Sequence, residues 1–372
     1  MALIESCRSI DYQKAGVDYD PLDLLKKVAQ KRGRDTAENL KKFGMQEISA
    51  SRGESAYVWE EDDRYNAFVL EGLGTKNRIA DEMRKITGKT YYDGLAKDTV
   101  AMIVNDLITV GAKPQVINAY FAVGDSTWFS DQKRTTDLVN GWANACNECG
   151  AVWGGGETPT LKKIIEPDTI DLSGSAIGII KPKNRLILGQ KIVSGDTILL
   201  VESSGIHANG LTLARAISEI IPNGFAEKLP NGSFYGESLL VPTLIYANIV
   251  NDLFEREIDI HYMVNITGHG WRKLMRSSNE FSYVIDKIPT PYPIFNFIKE
   301  KANLDDYEMY QTFNMGVGFA LFLPEYDCDK AIEIIKKNNI KSLKAGYVES
   351  GEKQVIISPL NITFPGSSLS LR

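Results

Sequence analysis

The sequence predicts a two-domain protein of the α/β (α+β) class, and three observations carry that prediction. Its 372 residues exceed what one ordinary hydrophobic core serves. Strand-like and helix-like segments alternate along both halves, several strands ending in glycine-rich turns that open the next helix. A lysine-proline-lysine stretch at the head of Pro182–Ile187 interrupts two apolar elements, which sets the expected domains at 1–181 and 182–372.

In the first half, Pro21 is expected to start a helix with Asp20 as its N-cap and Leu24, Leu25 and Val28 on one face. Lys31–Lys42 is charged and reads as a solvated helix face or loop. Ser55–Glu60 and Tyr65–Glu71 read as a hairpin turning at Glu61–Arg64. The second strand delivers Gly72-Leu73-Gly74-Thr75-Lys76, and a charged helix-like segment follows. Asp98–Val110 carries Val100, Ile103, Val104 and Leu107 at helical spacing, with Gly111 and Pro114 as stop signals. Gln115–Val123 is a strand and Ser130–Cys149 a long helix capped by Ser130. Val152–Thr158 is a glycine-rich turn. Leu172–Ile180, rich in small residues, is a strand lying against another backbone.

In the second half, Asp196–Val201 reads as a buried strand, Ser203–Gly210 as a loop and Leu211–Ile221 as a helix. Asn223–Gly236 is a polar loop, and Pro242–Phe254 a further helix. His261–Thr267 is a strand ending at Gly268-His269-Gly270, and Trp271–Arg276 opens a helix. Pro293–Ala302 is helical, Gly316–Leu323 an apolar strand, Asp329–Asn338 an amphipathic helix and Val355–Ile357 a late strand. The tail from Pro365 is expected to be loosely held.

Composition narrows the function classes. A net charge of −6 offers no basic face for nucleic acid. No apolar run approaches the roughly 18 residues of a membrane span. Met1–Ser9 lacks the apolar core of a secretory signal. Four cysteines are too few for a disulfide framework, so the cytoplasm is the expected compartment.

The chemistry concentrates between Glu71 and Pro114. Mg²⁺ takes hard oxygen ligands, usually one or two carboxylates plus phosphate oxygens. Glu71 at a strand end and Asp98 in the first turn of its helix can supply them, with Asp106 further along. Lys76 can neutralise phosphate and Thr75 can donate its hydroxyl. Asp98 also reads as a helix cap, and Asp106 as a structural acid fixing the Gly111–Pro114 corner. Gly154-Gly155-Gly156-Glu157 exposes backbone amides and adds an acid, and reads equally as a tight turn. Ser203–Gly210, with His207 and Asn209, precedes a helix and can bind an anion; a structural histidine is the other reading. In Asn265–Gly270, His269 between two glycines is expected to project into open space. Cys146 and Cys149 have redox or half-zinc spacing without a second pair, so packed thiols are favoured.

Read together and in order, these pieces resemble the aminoimidazole ribonucleotide synthetase family, also called phosphoribosylformylglycinamidine cyclo-ligase. D-Y-Q-K-A-G-V-D-Y-D (Asp11–Asp20) resembles its N-terminal segment, and E-G-L-G-T-K (Glu71–Lys76) its D-G-V-G-T-K. Asp106–Pro114 fits D-x4-G-A-x-P. G-G-E-T (Gly155–Thr158), S-S-G-I-H-A-N-G (Ser203–Gly210), L-L-V-P-T-L-I-Y (Leu239–Tyr246), N-I-T-G-H-G (Asn265–Gly270) and F-N-M-G-V-G (Phe313–Gly318) follow in the family's order. The wider superfamily includes selenophosphate synthetase and thiamine-monophosphate kinase.

The resemblance implies an N-terminal domain that dimerises through its sheet, a C-terminal α/β domain and a cleft between them. It implies that ATP and Mg²⁺ are used to phosphorylate the amide oxygen of formylglycinamidine ribonucleotide. An internal amine then closes the imidazole ring. ATP in the family lies partly across the dimer contact, so a homodimer is implied. With the residue-level reading, this gives Glu71, Asp98, Asp106 and Glu157 to metal. ATP and its phosphates take Gly72, Gly74, Thr75, Lys76, Asn105, Asp106, Gly155, Gly156, Asn209, Thr267 and Gly268. Asp98, Lys76, His207 and His269 are the expected catalytic groups. The chain departs from the family pattern in several places. Ser49–Ser55 stands where an early glycine-rich loop belongs, and Glu71 stands for Asp. Pro159–Lys162 replaces an acidic-Met-Pro segment, and N-I-T-G-H-G replaces H-[IL]-T-G-G-G. Two other readings stay open: an ATP-dependent paralogue acting on another amide or phosphate acceptor, and a non-catalytic nucleotide-binding protein.

Overall fold

The structure is a computed structural model that describes residues 19–369, with side chains described from Leu24 onward. The Asp11–Asp18 part of the N-terminal motif, the side chain of Asp20 and the last residues, Ser370–Arg372, lie outside it.

Helix α1 (Tyr19–Asp35) begins two residues before Pro21. Its expected apolar face is not covered within the chain: Leu24, Leu25 and Val28 are all exposed. Strand β1 (Gln46–Glu47) pairs with β2 (Tyr57–Glu61), which turns into β3 (Arg64–Gly72). Helices α2 (Lys76–Thr87) and α3 (Tyr92–Ile108) follow, then β4 (Lys113–Val123), α4 (Gln132–Cys149), β5 (Val152–Glu157) and β6 (Ile170–Ile180). Among the described residues the strands form two sheets, and these form the first, in the order β1-β2-β3-β6-β4-β5. Helices α3 and α4 cover one face of it. Small residues set that distance: a Cβ on Gly174 would stand 3.0 Å from Ile103 and 3.2 Å from Trp142.

The second sheet has seven strands in the order β13-β12-β9-β11-β7-β10-β8. The chain runs through β7 (Thr197–Glu202), α5 (Leu211–Ile220), α6 (Tyr235–Leu239), α7 (Ala247–Glu255), β8 (Tyr262–Asn265) and β9 (Phe281–Ile285). It continues through α8 (Pro293–Ala302), α9 (Asp306–Thr312), β10 (Val317–Leu323), α10 (Glu325–Lys337), β11 (Ser342–Ser350), β12 (Gln354–Ile357) and β13 (Ile362–Pro365). Strand β10 is buried at every position, as a central strand covered on both faces must be. Among the described residues no helix is long and apolar enough to cross a membrane.

Several expectations are corrected. Asp98 does not open its helix: α3 starts at Tyr92, after Tyr91 in the left-handed region (φ 61°). Gly94 lies inside α3 and makes room for Pro242, whose Cγ would be 3.2 Å from a Cβ there. The Gly154–Glu157 run is not a turn but strand β5, parallel to β4. A Cβ on Gly156 would come within 2.3 Å of Ala119 O, so glycine permits this pairing. Pro242–Tyr246 is not helical; α7 begins at Ala247. Asp131, not Ser130, caps α4 by accepting from Arg134 N. The described part of the tail, up to Leu369, is docked, since Ser368 O accepts from Arg272 at 2.8 Å and Leu369 is buried.

Candidate active site

Leu70 and Glu71 are neighbours at the end of β3, so their side chains leave on opposite faces. Leu70 points to solvent. Glu71 enters a cavity of about 330 Å³ lined from both halves of the chain. Asp106, in the last turn of α3, lines the same cavity, and burial first, then the Asp106 charge, push Glu71 up to about 8. Two carboxyl groups facing one shielded cavity favour a shared proton or a cation between them. Asn265, closing β8, donates from Nδ2 to Asp106 Oδ1 at 2.7 Å and so fixes that carboxylate.

The wall beyond β8 is cationic. Lys273, in the 3₁₀ turn Gly270–Met275, donates to Thr267 Oγ1. Burial pushes its ammonium down to about 8 against the pull of Asp106. Arg276 donates from Nε to Gly53 O at 3.1 Å and lies 3.9 Å from Glu54 Oε2. Asn209 Oδ1 accepts from Gly268 N at 3.1 Å, which ties the 203–210 loop to the 265–270 loop. His269 sits at φ 73° and is only 8% exposed, not projecting into open space. Burial, then the Lys273 charge, push it down to about 3, so it is a neutral imidazole at neutral pH. Lys26 and Gln30 of α1 complete the lining.

Of the expected residues, this cavity gathers Glu71, Asp106, Asn209, Thr267, Gly268 and His269. Lys76 and Asp98 lie apart, as a fully buried ion pair at 2.8 Å. Burial pushes Asp98 up and Lys76 down, and each partner pulls the other back. Both are spent on the strap Val241–Tyr246. Lys76 Nζ donates to Val241 O at 2.9 Å and to His207 O at 3.0 Å. Asp98 Oδ1 accepts from Thr243 N at 2.8 Å and from its Oγ1 at 2.5 Å. Asn105, expected at phosphate, holds the same strap: its Nδ2 donates to Leu244 O at 2.8 Å and its Oδ1 accepts from Tyr246 N at 3.0 Å. These captured amides keep Pro242–Tyr246 out of the helix. His207 is buried beside Lys76, and its Nε2 accepts from Ser204 N at 3.2 Å. Burial, then the Lys76 charge, push it down to about 3.

Gly74, at φ 73°, makes the turn from β3 into α2, and Thr75 precedes that helix without a side-chain cap bond. Gly72 is at the exposed end of β3, paired with Ser173. Gly155, Gly156 and Glu157 belong to the open face and edge of the first sheet. There Gly156 and Glu157 border a second hollow with Leu70, Asn118 and Ser175. The four expected metal acids are therefore split: Glu71 and Asp106 together, Asp98 against Lys76, Glu157 on the open face. Among the described residues no three metal-ligating side chains converge. The thiols of Cys146 and Cys149 are buried in α4, and burial raises them to about 12 and about 11, which makes them packed thiols.

Sequence reasoning missed Glu54, Lys273, Arg276 and Lys26. The signal for Glu54 was present in the Ser49–Ser55 departure, and for Lys273 and Arg276 in the basic W-R-K-L-M-R run directly after N-I-T-G-H-G.

Two family models match the chain: AIR synthase related protein, N-terminal domain, over residues 53–180, and the C-terminal domain of the same family over residues 193–358. The chain is 33% identical to phosphoribosylformylglycinamidine cyclo-ligase of Carboxydothermus hydrogenoformans, over 94% of this chain and 99% of that protein. It is 36% identical to the protein of that name from Methanocaldococcus jannaschii, over 77% of this chain and 79% of the relative. Among solved structures, a HypE–HypF complex aligns with TM-score 0.60 at 17% identity, over 84% of this chain and 93% of that one. AaThiL complexed with AMPPCP and TMP aligns with TM-score 0.57 at 15% identity, over 95% and 97%. Likeness at that identity speaks to the fold, whereas the two matched domains and the 33–36% relatives decide the family: this chain belongs to the AIR synthase-related proteins.

Proposed function

We propose that this protein is the purine-pathway cyclo-ligase that converts formylglycinamidine ribonucleotide to aminoimidazole ribonucleotide with ATP. The γ-phosphoryl group passes to the amide oxygen, the internal amine attacks the activated carbon, and inorganic phosphate leaves as the imidazole ring closes. The observation that carries this reading is the cavity itself, where a carboxylate pair on one half faces a cationic wall on the other. Phosphoryl transfer asks a protein for positioning and charge more than for covalent help. Lys273, Arg276 and Lys26 offer positive charge to phosphates. Asn265 holds the two facing walls in register through Asp106, and Asn209 braces the 265–270 loop. Closing the ring is then a matter of holding amine and carbon together away from water.

The donor set fits Mg²⁺, which needs only one or two protein carboxylates beside phosphate oxygens. Glu71 and Asp106 would hold it, and it would neutralise charge on the phosphates. Nucleotide use is supported by superfamily structures such as HypE in complex with ATP and AaThiL with AMPPCP. The protein works as a homodimer in this reading. The open face of the first sheet carries an apolar row, Phe68, Ile177, Val116 and Val152, aligned across β3, β6, β4 and β5. Glu157 and Gly156 lie on the same face, where a nucleotide shared across the dimer contact would meet them.

The test is phosphate release and imidazole product from purified protein with Mg-ATP. Both are expected only when formylglycinamidine ribonucleotide is added. Binding of Mg-ATP with no imidazole product from that substrate would reject the reading in favour of a paralogue with another acceptor.

A further inference from the structure

One loop lining the cavity is held in a strained shape. His269 and Gly270 lie one after the other in the left-handed region, at φ 73° and 53°. Glycine takes that shape freely. The β-carbon of His269 makes it costly, and such a residue persists only where its surroundings enforce it. The enforcement comes from behind the loop. Gly270 is packed against the end of α9, where a Cβ on it would stand 2.9 Å from Gln311 O. Arg272, two residues on, gathers three backbone carbonyls. Its Nε donates to His269 O at 3.2 Å, its Nη2 to Gln311 O at 3.2 Å and its Nη1 to Ser368 O at 2.8 Å. Gln311 O belongs to the last turn of α9, where a helix leaves carbonyls without an internal partner. Ser368 ends the 3₁₀ turn Gly366–Ser368, which is followed by the buried Leu369.

A planar guanidinium with five donors can join three carbonyls that belong to three different elements. An ammonium, a single point on a flexible stem, cannot hold that geometry. We infer that Arg272 is a positioning residue and that the C-terminal turn is part of its support. By holding His269 O, it keeps the Gly268–His269 turn in the shape that lines the cavity, with Gly268 N on Asn209 Oδ1. The shape of the site thus depends on a turn 96 residues further along the chain. This rests on the reading of the cavity as the active site, and it goes further by naming what sets the shape of that wall.

The test compares full-length wild type with Arg272→Lys, which keeps the charge but not the fork, and with Leu369→Asp, which undocks the turn and leaves Arg272 in place. A loosened loop adopts the lining shape for only a fraction of the time, and saturating substrate restores it. Both variants are therefore expected to raise KM about tenfold while kcat stays within about twofold. A merely structural role would leave fewer folded molecules, lowering kcat at unchanged KM, and that result overturns the inference. Hydrogen exchange gives a readout independent of turnover. The amides of Gly268 and Gly270 are bonded to Asn209 Oδ1 and Thr267 O, and are expected to exchange about tenfold faster in both variants. Exchange at the wild-type rate in either variant overturns the inference. Should Arg272→Lys not fold, Leu369→Asp alone makes both comparisons. If wild type does not turn over formylglycinamidine ribonucleotide, the cyclo-ligase reading falls by itself. The exchange rates, with the affinity for a non-hydrolysable ATP analogue in place of KM, then still decide the role of Arg272.

Discussion

At the scale of single residues, Lys76 and Asp98 teach the most. In sequence they sit where a metal–phosphate site belongs; in the structure they are a wholly buried pair bound to a neighbouring strap. A helix position has no intrinsic direction until something covers it, and here the cover arrives about 145 residues later in the chain. Glu71 was legible because a strand end next to a glycine turn already fixes which face it uses. Asp106 was legible as a candidate acid, although its partner Asn265 was not. The buried pair leads to a definite expectation. Lys76→Met strands a carboxylate without its cation, which costs about 3–5 kcal/mol. The double variant Lys76→Met/Asp98→Leu is expected to recover most of that loss. Calorimetric unfolding of the three proteins decides the point. An unchanged melting temperature in Lys76→Met, with nucleotide affinity lost, would return Lys76 to phosphate.

At the scale of elements, the main helices and the hairpin were legible from periodicity and stop signals, and Pro293–Ala302 coincides with α8. Short strands such as β9 and β13 were not, because five or fewer residues give no period and their pairing is settled by distant partners. The Ser49–Ser55 segment shows how an element departs from its family and still serves the site. Glu47 accepts from Arg52 Nε at 3.0 Å and from Tyr57 OH at 2.9 Å, which braces the segment that carries Gly53 and Glu54 to Arg276. The Arg52 hydrogen bond, opposed by burial, holds Glu47 below its ordinary 4.5. A carboxylate lowered on folding stabilises the protein above its unfolded pKa, and that contribution fades as pH falls through the folded value. The difference in melting temperature between wild type and Glu47→Gln is therefore expected to be largest near about pH 7 and to shrink below about pH 4.5. A difference that stays constant down to about pH 4 would mean that charge at Glu47 does not brace the segment.

At the scale of the whole molecule, the open face of the first sheet asks for an explanation. Helices cover the other face, yet Phe68, Leu70, Val116, Val152 and Ile177 remain exposed on this one. They are not scattered: Phe68 pairs with Ile177, Ile177 with Val116, and Val116 with Val152, so the row crosses four strands in register. Contiguous apolar patches of this kind mark association surfaces. A twofold contact would set the row against its own copy. Ile177 lies at the centre of the row, flanked on both sides by apolar neighbours. Ile177→Asp would bury a carboxylate against the same carboxylate on the second copy, at a cost well beyond that of an exposed change. Sedimentation velocity is expected to give a dimer for wild type and a monomer for Ile177→Asp with an unchanged far-ultraviolet spectrum. Phe43, exposed at 73% and outside the Phe68–Val152 row, serves as the control position: Phe43→Asp is expected to stay dimeric. A dimer that survives Ile177→Asp would leave the row without a partner and the contact would have to be sought elsewhere. Loss of ATP binding together with dimerisation would tie Glu157 and Gly156 to the shared nucleotide site; a monomer that binds ATP with full affinity would confine the site to the Glu71–Asp106 cavity.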